Sequence, residues 1–215
     1  MLSRRWIERI LIYRRALQGM LAGGEEMVSS TLLAEEAGCT PDLVRRDLMQ
    51  VPYSGSPRKG YQVAGLLEGI NQVLKSEERV SVALVGLGNL GRAVLGYISS
   101  RESHLSVTAI FDKSSALVGR NFGDLSCNHV ENLVAIIRKH DIHLGIVTVP
   151  AAGAQGVADA MVAAGVRGIL NFAPVSISVP TDVVVENIDI LVALESTALL
   201  AGGPEQPAPE GNAGA

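Results

Sequence analysis

The sequence predicts an α/β protein built from a helical head and a parallel-sheet unit, and three observations predict it. A near-continuous apolar run, Val80 to Val85, leads straight into Gly86-Leu87-Gly88-Asn89-Leu90-Gly91. Beyond it, short β-rich runs alternate with helical stretches as far as about Leu194, the pattern of an open and mostly parallel sheet. Before it lie some 78 residues whose apolar positions recur at helical spacing. The expected organisation is a head over 1–78, a dinucleotide-type sheet unit over 79–194, and a short C-terminal helix with a disordered tail over 195–215.

In the head, Trp6, Ile7, Ile10, Leu11, Leu17, Met20 and Leu21 mark a first helix that Ser3 can cap and Gly23-Gly24 ends. A second helix follows Ser29-Ser30, with Leu32, Leu33 and Ala37 on one face. Gly38-Cys39 makes a short turn. Thr40 and Pro41 then open a third helix, a good N-cap followed by the one residue that needs no amide partner at N1. Leu43, Val44 and Leu48 should face inward, leaving Asp42, Arg45, Arg46 and Gln50 outside.

Helix, short glycine turn and a second helix with polar residues on its outer face form the helix-turn-helix pattern. The exposed chemistry suits DNA. Arginine presents a bidentate fork to guanine or phosphate, and Gln50 matches adenine. Residues 52–61 read as a tight hairpin whose Arg58 and Lys59 would form a basic wing, completing a winged helix-turn-helix domain. The candidate DNA-binding set is therefore Thr40, Pro41, Asp42, Arg45, Arg46, Gln50, Arg58 and Lys59. Charge distribution agrees. Residues 1–20 carry five arginines against one glutamate, whereas residues 79–215 carry eight basic and twelve acidic side chains, so attraction to phosphate falls to the N-terminal third.

In the sheet unit, the run from Val80 to Val85 reads as a strand buried on both faces. Of the glycines after it, the first allows the tight turn, the second lets backbone approach a pyrophosphate, and the third lets helix pack on strand. The helix from about Asn89 directs its amides and dipole at the phosphates. A second strand, Val107–Phe111, ends at Asp112, about 20 residues beyond the glycines, where a carboxylate accepts hydrogen bonds from adenosine ribose hydroxyls and repels a 2′-phosphate. A strand from Leu144 to Val149 closed by Pro150, an alanine-rich helix over 152–164, a strand Gly168–Phe172 and a short strand at Val183–Val185 complete the unit. Thr148, Val149 and Pro150 then stand at a carboxyl edge, close to a nicotinamide.

Composition excludes several classes. With 47% hydrophobic and 19% charged residues the chain is globular, and no apolar run reaches the roughly 18 residues of a membrane span. It also lacks a signal-peptide pattern, so the expected location is the cytoplasm. Cys39 and Cys127 form no CxxC pair, and His140 and His143 have no accompanying ligand cluster, so no metal is expected. After Leu194 come a short apolar stretch, Thr197–Leu200, and a Pro/Ala/Gly/Glu tail, and no His–Asp or Lys–Glu constellation marks hydride chemistry. The nucleotide is therefore expected to be read rather than turned over. The competing readings are a small NAD-dependent oxidoreductase with an N-terminal assembly domain, and a CoA-binding subunit. The second is disfavoured by Asp112, because the ribose of CoA is phosphorylated.

On these residues the chain resembles the redox-sensing transcriptional repressors of the Rex family, over nearly all of residues 5–200. Val44-Arg45-Arg46-Asp47-Leu48 is similar to the family's recognition helix and Val85–Gly91 to its nucleotide turn. Ile146–Pro150, Gly168–Pro174 and Val185–Asp189 carry the rest. The resemblance implies a homodimer that exchanges a C-terminal helix, binding to inverted-repeat double-stranded operators, and release by NADH. It implies that Tyr97 lies near the nicotinamide and that Arg15 and Asp189 form an interdomain ion pair, which adds Tyr97 and Asp189 to the candidate NAD(H) contacts. Three departures stand out. Met49-Gln50-Val51-Pro52 replaces the family's Ser-Tyr-Phe-Gly, the wing reads Pro57-Arg58-Lys59 with glycine lost and its arginine shifted, and Ile190 stands where an aromatic residue is usual.

Overall fold

A computed structural model of the chain describes residues 3–53, 55, 60–74, 79–100 and 104–202. The chain divides into two compact units, residues 1–79 and 80–215.

The head contains α1 (Arg4–Ala22), β1 (Met27–Val28), α2 (Ser30–Ala37), α3 (Pro41–Leu48), β2 (Tyr61–Gln62) and α4 (Val63–Leu74). The caps predicted at Ser3 and Thr40 are in place, and Ser29 serves α2 in the same way. Ser3, Ser29 and Thr40 accept from the amides of Trp6, Leu32 and Leu43, and Gly38 ends α2 in the left-handed conformation. One apolar core joins the helices: Trp6, Ile10, Tyr13 and Leu17 of α1 meet Leu33, Val44, Leu48, Val63, Leu66 and Ile70. The inward face differs from expectation in detail. Ala34 rather than Leu32 joins Leu33 inside, Leu32 is left exposed, and Asp47 is buried with Val44 and Leu48. Leu11 and Leu21 of α1 also face outward.

The turn of the hairpin expected over 52–61 lies outside the described residues, and the described end of that segment takes part in a longer-range pairing. β2 lies antiparallel to β1, with Val28 opposite Tyr61. Tyr53 supports it from the near side, its hydroxyl accepting from the Gln62 amide at 3.0 Å. Arg58 and Lys59 of the predicted wing fall outside the described residues.

The second unit is a seven-stranded sheet in the order β5-β6-β4-β3-β7-β8-β9, with only β5 antiparallel to its neighbour. Its elements are β3 (Val80–Val85), α5 (Asn89–Ser99), β4 (Leu105–Asp112), β5 (Asn121–Phe122), β6 (Leu125–His129), α6 (Leu133–Lys139), β7 (Leu144–Val147), α7 (Ala151–Ala164), β8 (Gly168–Asn171), β9 (Val184–Asn187) and α8 (Ile190–Ala201). From β3 the chain first moves outward through β4 and β6, then returns to the other side of β3 as β7. That reversal opens a crevice at the carboxyl ends of β3 and β7, where open α/β sheets bind ligands.

Alternation along β3 splits the core. Val82 and Leu84 serve one layer, whereas Ala83 and Val85 serve the other. β4 keeps step only through a bulge: Val107 pairs with Val82 but Ala109 with Ala83, leaving Thr108 as the extra residue. Its buried hydroxyl has no hydrogen-bond partner among the described residues. α8 starts at Ile190, ahead of the expected boundary at 195, because the Asp189 carboxylate caps it by accepting from the amides of Leu191 and Val192.

Candidate functional site

A cleft of about 760 Å³ lies at the predicted crevice, within the range that holds cofactors. Gly86, Gly88, Asn89 and Leu90 form one side, Asp112, Lys113 and Leu117 a second, and Thr148, Val149, Pro150, Ala152 and Gly153 a third. Phe172 and Pro174, just past β8, add to its apolar wall.

The glycines divide by what requires them. Gly86 has φ +99°, and an added Cβ would lie 2.7 Å from the Thr148 carbonyl oxygen. A Cβ on Gly91 would overlap the Gly86 carbonyl oxygen. The empty fold therefore demands both. Gly88 has ordinary φ and ψ, −65° and −168°, and open space where its Cβ would be. Only something placed in the cleft gives Gly88 a reason to lack a side chain.

The turn is fastened from two directions. Thr148 donates its amide to the Val85 carbonyl at 2.9 Å and shares its hydroxyl proton between the carbonyls of Val85 and Gly86, at 3.0 and 2.7 Å. Asp112 accepts from the Leu87 amide at 2.7 Å and from the Ser114 amide at 2.8 Å. This fixes the carboxylate at the cleft wall with lone pairs still available to ribose hydroxyls. Burial pushes the neighbouring Cys127 thiol up, and the Asp112 charge adds to the effect.

Electrostatics suit an anion. Gly88 precedes α5 and Pro150 precedes α7, neither giving a side-chain cap, so two sets of first-turn amides and two positive helix ends meet the cleft. The second helix end was not anticipated from the sequence, and neither was Lys113. The wall formed by residues 172–174 is held by two amides. Asn171, fully buried, donates to the Val175 carbonyl and the Asn187 side chain and accepts from the Ala173 amide. Gln155 on α7 exchanges two hydrogen bonds with the Ser178 backbone, at 2.8 and 2.9 Å.

Four predicted contacts stand outside the cleft lining. The Leu87 side chain turns into the core and Gly91 is buried beneath the turn. Tyr97 is 56% exposed on α5, and Asp189 is exposed at the start of α8.

On the head, Thr40, Asp42, Arg45, Arg46 and Gln50 share the outer side of the helix-turn-helix. Arg45 is held internally by Asp42 and by the Ser30 hydroxyl at 2.8 Å. Arg46 is exposed and makes no hydrogen bond or ion pair among the described residues. Arg15 is exposed on α1. Arg9, by contrast, is drawn inward to the buried Asp47, a pairing that sequence periodicity did not reveal.

Comparison with known proteins follows both units. Residues 2–48 match the family model described as putative DNA-binding protein N-terminus, and residues 77–175 the one described as CoA binding domain. The redox-sensing transcriptional repressor Rex of Syntrophobacter fumaroxidans is 39% identical over 193 residues, 89% of this chain and 92% of its own length. Two crystal structures of RSP, a Rex-family repressor, are 31% identical over 94% of this chain. The complex with β-NADH has a TM-score of 0.81 over 94% of that chain, and the complex with β-NAD⁺ and operator DNA 0.85 over 93%. Likeness of that extent takes in the head, the sheet and the cleft together, and on it the chain belongs to the Rex family of redox-sensing transcriptional repressors.

Proposed function

We propose that this chain represses transcription from inverted-repeat operators as a homodimer, and leaves them when NADH rather than NAD⁺ fills the cleft. The observation that carries this reading is the alignment, over 94% of the chain, with a repressor solved on both β-NAD⁺ and operator DNA. Local geometry supports it. The pyrophosphate takes the two uncapped helix ends, the adenosine ribose takes Asp112, and the nicotinamide lies toward Val149, Pro150 and Phe172. A carboxylate at the ribose sets NAD(H) above NADP(H) and above CoA. The reading as a regulator rather than an oxidoreductase rests on the family.

A ligand shifts a conformational equilibrium only through its differential affinity for the two states. The oxidised nicotinamide ring is cationic and the reduced ring neutral. An apolar wall penalises the cation more, because nothing there replaces its hydration. The wall therefore favours NADH, and the state that encloses the ring gains most from it.

The dimer rests on α8. Its twelve residues include one charged side chain, Glu195, and none is buried within the chain. A helix apolar on all sides needs cover. No helix among the described residues is long and apolar enough to cross a membrane, so a second copy is the occupant this reading gives it. In this reading Tyr97 is the residue that the family resemblance sets near the nicotinamide. As an operator-binding regulator the protein works in the cytoplasm.

The test is a mobility-shift titration of an inverted-repeat operator with NADH and NAD⁺ in parallel. NADH should release the DNA at concentrations where NAD⁺ does not. Equal effects from both nucleotides would remove the redox sensing. Arg46→Ala should weaken operator binding by about 10- to 100-fold, the worth of one bidentate base contact, and leave NADH affinity unchanged. Undiminished operator binding by that variant would take Arg46 out of the interface.

A further inference from the structure

The most unusual polar group in the head lies on the inner face of the helix proposed to read DNA. Asp47 is 3% exposed. Among the described residues, every side-chain donor to it comes from a single face of α1. Arg9 gives two parallel hydrogen bonds to the carboxylate, at 2.6 and 2.8 Å, and the Tyr13 hydroxyl donates a third at 3.1 Å. Trp6 Nε1 donates to the Asp47 backbone carbonyl at 3.3 Å. Cys39, in the turn before α3, lies 3.5 Å from the Tyr13 hydroxyl and extends the chain of contacts to a third segment.

Stability does not explain this arrangement. Withdrawing the Asp47 charge from water costs several kcal/mol, and well-packed apolar residues of similar volume usually serve a core as well or better. Direction is what the polar group adds. The apolar contacts of Val44 and Leu48 hold α3 against the core but resist rotation about its own axis weakly, since hydrophobic contact has no preferred angle. A bidentate guanidinium–carboxylate pair does have one. Asp47 follows Arg46 directly in the chain, so pinning one sets where the other points. A rotation of about 20° moves a side-chain tip at a radius of roughly 6 Å by about 2 Å. Hydrogen bonds to base edges span a window of only about 0.5 Å, so such a rotation loses them. Burial keeps Tyr13 neutral by pushing its hydroxyl up, and the hydrogen bonds to Asp47 keep the Arg9 guanidinium charged by pushing it up.

We propose that Arg9, Tyr13 and Asp47 are positioning residues for operator recognition, fixing the rotational setting of α3 so that Arg46 and Gln50 meet base edges. The proposal rests on the reading of α3 as the DNA-reading helix. Its test uses the full chain and a duplex selected from a randomised pool by the unmodified protein. Affinity for that duplex and for an unrelated duplex of the same length is measured beside NADH affinity and thermal unfolding. The apolar double variant Arg9→Met/Asp47→Leu should fold and bind NADH as before, while the specific-to-unrelated affinity ratio falls at least tenfold. The binding that remains should keep its dependence on salt, because phosphate contacts survive a rotation better than base contacts do. Arg9→Lys keeps the charge but loses the fork, and should lower the ratio severalfold.

A double variant that folds with its ratio intact overturns the proposal. Should the double variant not fold, Arg9→Lys with an unchanged ratio overturns it equally. If the unmodified chain selects no sequence, the reading of α3 itself fails, which is a separate outcome.

Discussion

Gly88→Asp is expected to abolish NADH binding at physiological concentrations while leaving the fold and operator binding intact. The backbone at Gly88 has dihedrals any residue adopts, and its Cβ direction is open, so the empty protein accommodates the side chain. The bound state does not. A carboxylate about 4 Å from a phosphate charge, at the effective dielectric of a protein surface, is repelled by roughly 4 kcal/mol. That corresponds to about a thousandfold in affinity. Titration followed by nicotinamide fluorescence should show the loss, the melting temperature should hold, and the operator complex should stop responding to NADH. Near-normal NADH affinity would mean that the glycine turn does not touch the ligand. Gly91→Ala is the informative contrast, because there the overlap with the Gly86 carbonyl acts on the fold itself.

Leu191→Glu with Leu194→Glu is expected to convert the dimer to monomer at micromolar concentration. Within one chain these leucines are 63% and 64% exposed, so the substitutions cost the isolated fold little. In a dimer that covers α8, each leucine contributes about 1.5–3 kcal/mol on burial. Each glutamate would instead bring an unpaired charge into an apolar interface, at several kcal/mol more. Symmetry doubles every change. Sedimentation velocity should report the monomer. Operator affinity should fall by orders of magnitude, because an inverted repeat rewards two recognition helices held at a fixed spacing. An unchanged dimer would show that another surface joins the copies.

Legibility followed local punctuation. Ser3, Ser29 and Thr40-Pro41 announced their helices because a cap is written in one or two residues, and Val80–Gly91 announced the nucleotide turn for the same reason. α4 carries no such mark. It follows β2 directly, and its Gly65 and Gly69 look like breakers in the sequence. They are small because the Tyr53 ring and Val51 pack against them, within 2.6 and 2.9 Å of where a Cβ would stand. β6 and α6 were missed because Leu125–His129 mixes polar residues into a strand next to the sheet's edge, and the helix behind it has only seven residues. Asp47 was illegible in principle. Periodicity sends a charged residue outward, and the partner that reverses this is 38 positions away. The cleft was legible in its glycines, Asp112 and Thr148–Pro150. Lys113 joins the cleft because β4 lies beside β3, and the second helix end because β7 does, pairings that no local signal records.

The bulge at Thr108 has a consequence for how this chain tolerates change. Every residue of β4 after position 108 keeps its side of the sheet only because one residue there is spent without a partner. Asp112, four positions on, owes its bond with the Leu87 amide to that count. The idle hydroxyl of Thr108 indicates that the identity of the side chain matters little. A deletion, by contrast, would exchange the two faces of the strand end and turn the ribose acid away from the nucleotide. At this position the chain conserves arithmetic rather than chemistry: the number of residues between strand start and strand end is itself part of the nucleotide site.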